Sequence, residues 1–151
     1  MKKDVFVALA AIGWSDGTLD PEEADAIVRA ALEEGLELDE IAEIEKSTST
    51  RIPLGAIDRA SLTKEDRLFV YAVARWIAEL DGEVTADEAK VLAELGERLG
   101  VPEKPRALAE AAVREVAALP EGDRPSRYDL LRLRQLIGGR LEISKTQSTS
   151  P

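Results

Sequence analysis

Apolar residues recur at three- and four-residue steps along most of the chain, and polar or glycine breaks cut that pattern into pieces of helical length. Residues 4–15 set Val5, Leu9 and Ile12 on one stripe with Phe6 and Ala8 beside it, which predicts an amphipathic helix. Asp16 and Gly17 stop it; Asp20, Pro21 and Glu23 start the next as N-cap, first helical residue and reciprocal capping-box partner. That second helix, 21–34, carries Ala24, Ile27, Val28, Ala31 and Leu32 and is ended by Gly35. A short helix over 39–46 uses Ile41 and Ile44. Residues 47–53 predict a loop, because hydroxyl side chains compete for backbone hydrogen bonds and Pro53 disfavours helix before it.

Leu54, Ile57 and Leu62 predict a brief helical turn, after which Thr63 caps the most hydrophobic helix, 64–80. Its stripe of Phe69, Val73, Trp76, Ile77 and Leu80 makes it the expected centre of the fold. Further helices follow over 86–99, with Ala89, Leu92, Leu95 and Leu99 before Gly100, and over 104–119, with Leu108, Ala112, Val116 and Leu119. After a break from Pro120 to Pro125, residues 126–138 set Leu130, Leu133, Leu136 and Ile137 against Arg127, Arg132 and Arg134, and Gly138 and Gly139 are the expected stop. The Ser/Thr-rich residues 145–151 predict disorder.

The stretch Asp16 to Glu23 returns 65 residues later as Asp81 to Glu88. At that offset Val5, Ile12, Asp16, Gly17, Glu23, Ala24 and Gly35 coincide with Val70, Ile77, Asp81, Gly82, Glu88, Ala89 and Gly100. The expected architecture is therefore all-α: a pseudo-symmetric bundle of six to seven helices built from two helix-turn-helix repeats, about 4–36 and 69–101. Residues 1–119 form the helical domain, 120–144 carry a basic amphipathic helix, and 145–151 form the tail.

Composition narrows the chemistry. The 151 residues include no cysteine and no histidine, and Met1 is the sole methionine, which excludes thiolate nucleophiles, disulfides, zinc and iron-sulfur sites and imidazole acid-base catalysis. Nothing signals haem or a nucleotide. Any metal must be a hard cation on oxygen ligands: calcium, magnesium or manganese. The net charge is −10, with 28 acids against 14 bases in residues 1–123 and six bases against two acids in 124–151. An acidic body with two each of Trp, Tyr and Phe disfavours nucleic acid. With no apolar run of membrane-spanning length and an N-terminus unlike a signal peptide, a cytoplasmic protein is expected.

The repeated turn matches the second half of an EF-hand loop: an acid, a glycine, an apolar residue two further on and a closing acid. Asp16, Gly17, Leu19 and Glu23 fit it, as do Asp81, Gly82, Val84 and Glu88. The first half fails: the positions that should supply the first two carboxylates are Ile12 and Trp14 in one copy, and Ile77 and Glu79 in the other, where Glu79 is the single acid of the four. Two roles stay open. Glu23 and Glu88 precede the stripe residues Ile27 and Leu92 by one turn, lean toward the bundle and could share a cation. Alternatively, they close capping boxes while Asp16 and Asp81 accept turn amides.

The doubled Asp-Gly, apolar, Glu pattern, with Leu99, Gly100 and Val101 closing the second unit, resembles the TerB-like tellurite-resistance domain over roughly residues 4–117. The resemblance implies an all-helical bacterial module whose acidic turns bind a divalent cation through Asp16, Glu23, Asp81 and Glu88, with Asp20 as a further candidate. Without cysteine, thiol conversion of tellurite is not this chain's role, so the expectation is a non-catalytic, stress-associated module that binds a divalent cation or a protein partner. The alternative is a structural or scaffolding domain; carboxylate-based hydrolysis would need a substrate-positioning group the pattern does not supply. The basic helix with Arg127, Arg132 and Arg134 either docks an acidic partner or an anionic membrane surface, or folds onto its own acidic bundle. Trp14, beside the first turn and off the stripe, is either a partner anchor or a cover for the bundle end.

Overall fold

The computed structural model describes residues 3–14, 19, 21–53, 55, 57, 59–79, 85–119 and 129–149, with the side chains of Arg59, Glu88 and residues 142–149 excepted. The described residues are helical with no strand. The order is α1 (Lys3–Trp14), α2 (Pro21–Glu34), α3 (Leu38–Ser49), a 3₁₀ turn (Arg59–Ser61), α4 (Lys64–Glu79), α5 (Ala86–Leu99), α6 (Glu103–Ala117) and α7 (Leu130–Thr149). Among the described residues no helix is long and apolar enough to cross a membrane.

The stripe of α4 puts it at the centre. Phe69 and Val73 are fully buried and Trp76 and Ile77 nearly so, while α1, α5, α6 and α7 all pack against it. Val5, Phe6, Leu9 and Ile12 bury the inner face of α1, which also contacts α2 and α3. α7 lies across α2, α4 and α6, whereas the main packing partner of α5 is α4 alone.

Local chemistry explains where these helices begin and end. Thr63 and Asp66 form a reciprocal box at the start of α4: the Thr63 amide donates to Asp66 Oδ2 at 3.0 Å, and the Asp66 amide to Thr63 Oγ1 at 3.1 Å. A second box joins Glu37 and Glu40 at the start of α3. α2 and α5 close in one manner. Gly35 and Gly100 take φ of +88° and +70°, a conformation open to glycine without a Cβ clash. The Gly35 and Leu36 amides then donate to the Leu32 and Ala31 carbonyls, and the Gly100 and Val101 amides to those of Glu97 and Gly96. Both are Schellman motifs.

Several boundaries and faces differ from the sequence expectation. α3 continues through Ser47, Thr48 and Ser49, where a loop is expected, because those hydroxyls donate back to the carbonyls of Glu43 and Glu45 at 2.8–3.0 Å. The side chains that compete with a helix here bond to it. α7 runs past Gly138 and Gly139 to Thr149, so residues 145–149 are helical and not the disordered tail expected. Within the continuous helix, Gly138 leaves room for the Glu65 carboxylate of α4, which a methyl group there would overlap. Leu32 and Leu119, expected inside, are 55 % and 42 % exposed, and Ala89 is exposed as well. The expected helical start at 126–128 lies outside the described residues, as do Leu54 and Leu80.

Candidate functional site

Of the candidate cation ligands, Asp16, Asp20 and Asp81 lie outside the described residues, and so does the side chain of Glu88, whose backbone is in the first turn of α5. Glu23 is described. It sits in the first turn of α2 with its residue only 8 % exposed, turned into the bundle as its position one turn before Ile27 predicts. Its carboxylate approaches the last turn of α1, where Oε2 stands 3.8 Å from the position a Cβ on Gly13 would occupy. The same glycine makes room for Leu19, whose side chain folds over α1 and would collide with a methyl group there. Among the described residues no three acids come together as a cation cage. Glu23 is thus one oxygen donor whose fit to a hard cation depends on turn acids outside that set.

Trp14 lies at this same end, half-buried against the core, and its Nε1 donates to the Ser47 carbonyl at 2.9 Å. It ties the end of α1 to the last turn of α3. Trp76 is core, as expected.

The three arginines of the basic segment have separate fates. Arg127 lies outside the described residues. Arg132 is exposed, with its amide bonded to Asp129 Oδ1 at 3.0 Å. Arg134 turns inward: its Nη2 reaches Glu65 at 2.6 Å and Asp66 at 2.7 Å, and its guanidinium lies over the Phe69 ring, 5.7 Å from the centroid. Burial pushes the Asp66 carboxyl up, but the Thr63 backbone hydrogen bond and the Arg134 charge outweigh it and hold the group below its ordinary value. Arg140 adds an ion pair to Glu115 on α6.

A polar groove of about 310 Å³ between α4, α5 and α6 is absent from the sequence expectation. Tyr71 forms its floor and donates to Glu110 at 3.4 Å; Arg75 pairs with Glu79 at 2.9 Å and Glu110 at 3.5 Å. Arg106 lies 6.0 Å over the Tyr71 ring, donates to the Val101 carbonyl at 2.9 Å and occupies space that only a glycine at position 96 leaves open. Burial, then the Glu110 charge, push the Tyr71 phenol above its ordinary value and keep it a donor. The repeat itself holds the signal that could have revealed this groove. At the 65-residue offset Tyr71 and Arg106 stand opposite Phe6 and Ile41 in the sequence, both of them buried apolar residues.

The fold and these sites define an all-α helical bundle with a buried acid at one end and an arginine-clasped helix at its flank. Comparison with family models, with curated proteins and with solved structures finds no match.

Proposed function

We propose that this chain is a non-catalytic, cytoplasmic bacterial module of the TerB-like, tellurite-resistance or stress-associated kind. Two pseudo-symmetric repeats build it, and its acidic end binds a divalent cation or a protein partner. The observation that carries the binding role is Glu23. Its carboxylate belongs to the repeated acidic turn and is turned into the bundle, 8 % exposed, at the end of the molecule where α1 meets α2.

The repeat is supported by element boundaries. Shifted by 65, α2 coincides with α5, α1 and α4 end together at Trp14 and Glu79, and α3 and α6 begin together at Leu38 and Glu103. The correspondence thus extends from a hairpin to a three-helix unit. It makes a packing prediction, because Gly13 and Leu19 in the first copy correspond to Ala78 and Val84 in the second. Leu19→Val alone is expected to cost about 1 kcal/mol through lost burial. In a Gly13→Ala background it should cost close to nothing, since the smaller side chain relieves the overlap. Urea midpoints of the four proteins check this; a coupling of about 1 kcal/mol supports the repeat, and additivity within about 0.3 kcal/mol speaks against it.

The cation reading is tested by thermal unfolding of chelator-treated protein with and without millimolar calcium, magnesium or manganese. A ligand that binds the native state alone raises the melting temperature by mass action. One cation should raise it in the wild type and leave a Glu23→Gln, Glu88→Gln variant unmoved. The structural alternative has its own support, since this chain uses first-turn acids as caps at Glu40 and Asp66. If no cation shifts the transition, Glu23 and Glu88 are caps of that sort and a protein partner becomes the binding role to pursue.

A further inference from the structure

A second site lies away from the acidic end and does not depend on it. Between the start of α4, the α5–α6 connection and α7 is a cavity of about 240 Å³, lined by Lys64, Arg67, Leu68, Val101, Pro105 and Leu141 among others. Its charged lining is entirely basic in a protein of net charge −10. Of the acids with described side chains that adjoin lining residues in sequence, Glu65 and Asp66 are engaged by Arg134 at 2.6 and 2.7 Å, and Glu103 is not among the residues that line the cavity. Arg67 is oriented by its Nε, which donates to the Leu62 carbonyl at 3.1 Å. The rest of the wall is Gly100, aliphatic side chains and proline; neither Pro102 nor Pro105 has a backbone N–H, and the Gly100 and Val101 amides are bonded to the Glu97 and Gly96 carbonyls. We propose that this cavity binds a small aliphatic carboxylate, with its head between Lys64 and Arg67 and its chain against Leu68, Val101, Pro105 and Leu141.

Each half of that ligand answers to one half of the lining. An anion gains charge-assisted hydrogen bonds from the ammonium and guanidinium groups, while a cation meets like charge at the mouth. Methylene groups gain by leaving water for the apolar wall. At about 30 Å³ for each water-sized group, the volume suits a chain on the order of eight carbons. Repulsion from the acidic body slows the approach of an anion, but it is screened over about 8–10 Å at ordinary salt, and the charges lining the cavity itself are basic.

The test is titration of the full chain with sodium octanoate, followed by amide chemical shifts, beside octylammonium and acetate. Octanoate should saturate, with the largest shifts at Leu68, Val101 and Leu141. Octylammonium should not saturate, and acetate should bind at least about tenfold more weakly, or about 1.4 kcal/mol. A Lys64→Glu, Arg67→Gln variant with an unchanged helical spectrum should lose at least about tenfold in octanoate affinity. Unsaturable octanoate shifts, equal binding of octylammonium, equal binding of acetate, or full affinity in the variant would each overturn the proposal. The comparison among the three small molecules decides the matter even if the variant does not fold.

Discussion

Removing residues 130–151 is expected to abolish cooperative folding. Leu130, Leu133 and Ile137 are each no more than 1 % exposed, so α7 completes the core of α2, α4 and α6 and is no appendage on it. At about 1.5–3 kcal/mol for each buried aliphatic side chain, these three contribute on the order of 5–9 kcal/mol. That is comparable with the whole stability of a typical domain, about 5–15 kcal/mol. The truncated chain should show a weakened helical signal, a broad thermal transition and dye binding to exposed apolar surface. A sharp transition within a few degrees of the full chain would mean that residues 3–119 fold without α7.

Arg134→Ala is expected to cost about 3 kcal/mol. The substitution leaves Asp66, 6 % exposed, with its Thr63 bond but without its countercharge, and breaking a buried pair from one side typically costs about 3–5 kcal/mol. The value is set at the lower end because Glu65, the other partner, is partly exposed. Arg134→Lys should cost less but still be felt, since an ammonium cannot present two forked donors to Glu65 and Asp66 while stacked on Phe69. Denaturant midpoints of the two variants check the order. The same cluster sets a pH dependence. The carboxyl of Asp66 is held lower in the folded protein than in the unfolded chain, where it titrates near the ordinary value of about 3.9. Its stabilisation is therefore complete above that value and is lost as pH falls through the folded one. Between about pH 5 and pH 2, wild type should lose more stability than Asp66→Asn; parallel losses would remove Asp66 from the acid response.

Most of the helices could be read from the sequence because their apolar periodicity is strong and their ends carry local chemistry. α4 shows this best: Phe69, Val73, Trp76 and Ile77 set its inward face, and Thr63 with Asp66 sets its start. Gly35 and Gly100 end their helices as glycines with positive φ should. The departures come from partners distant in sequence. Gly138 has the form of a stop signal, and only the Glu65 carboxylate on α4 shows it to be a packing glycine. Ser47 to Ser49 have the composition of a loop, yet their hydroxyls find carbonyls one turn back. At the site, the inward lean of Glu23 follows from its place before Ile27. That the basic helix folds onto its own acidic bundle is one of the two readings the sequence leaves open, but which arginine turns inward is not legible, because the acids that capture Arg134 are some seventy residues upstream.

The placement of α5 has a consequence for motion. Its main packing partner is α4, whereas α7 is held by three helices, so releasing Leu92, Leu95 and Leu99 disturbs the fewest other contacts. In terms of amide exchange, α5 is expected to open at the least cost among the described helices and α4 at the most. The second acidic turn leads into this more easily opened helix, while the first leads into α2, which α7 helps to hold. Opening of α5 alone would therefore leave α2 in place, and the two helices that follow the repeated sequence element are expected to exchange their amides at different rates.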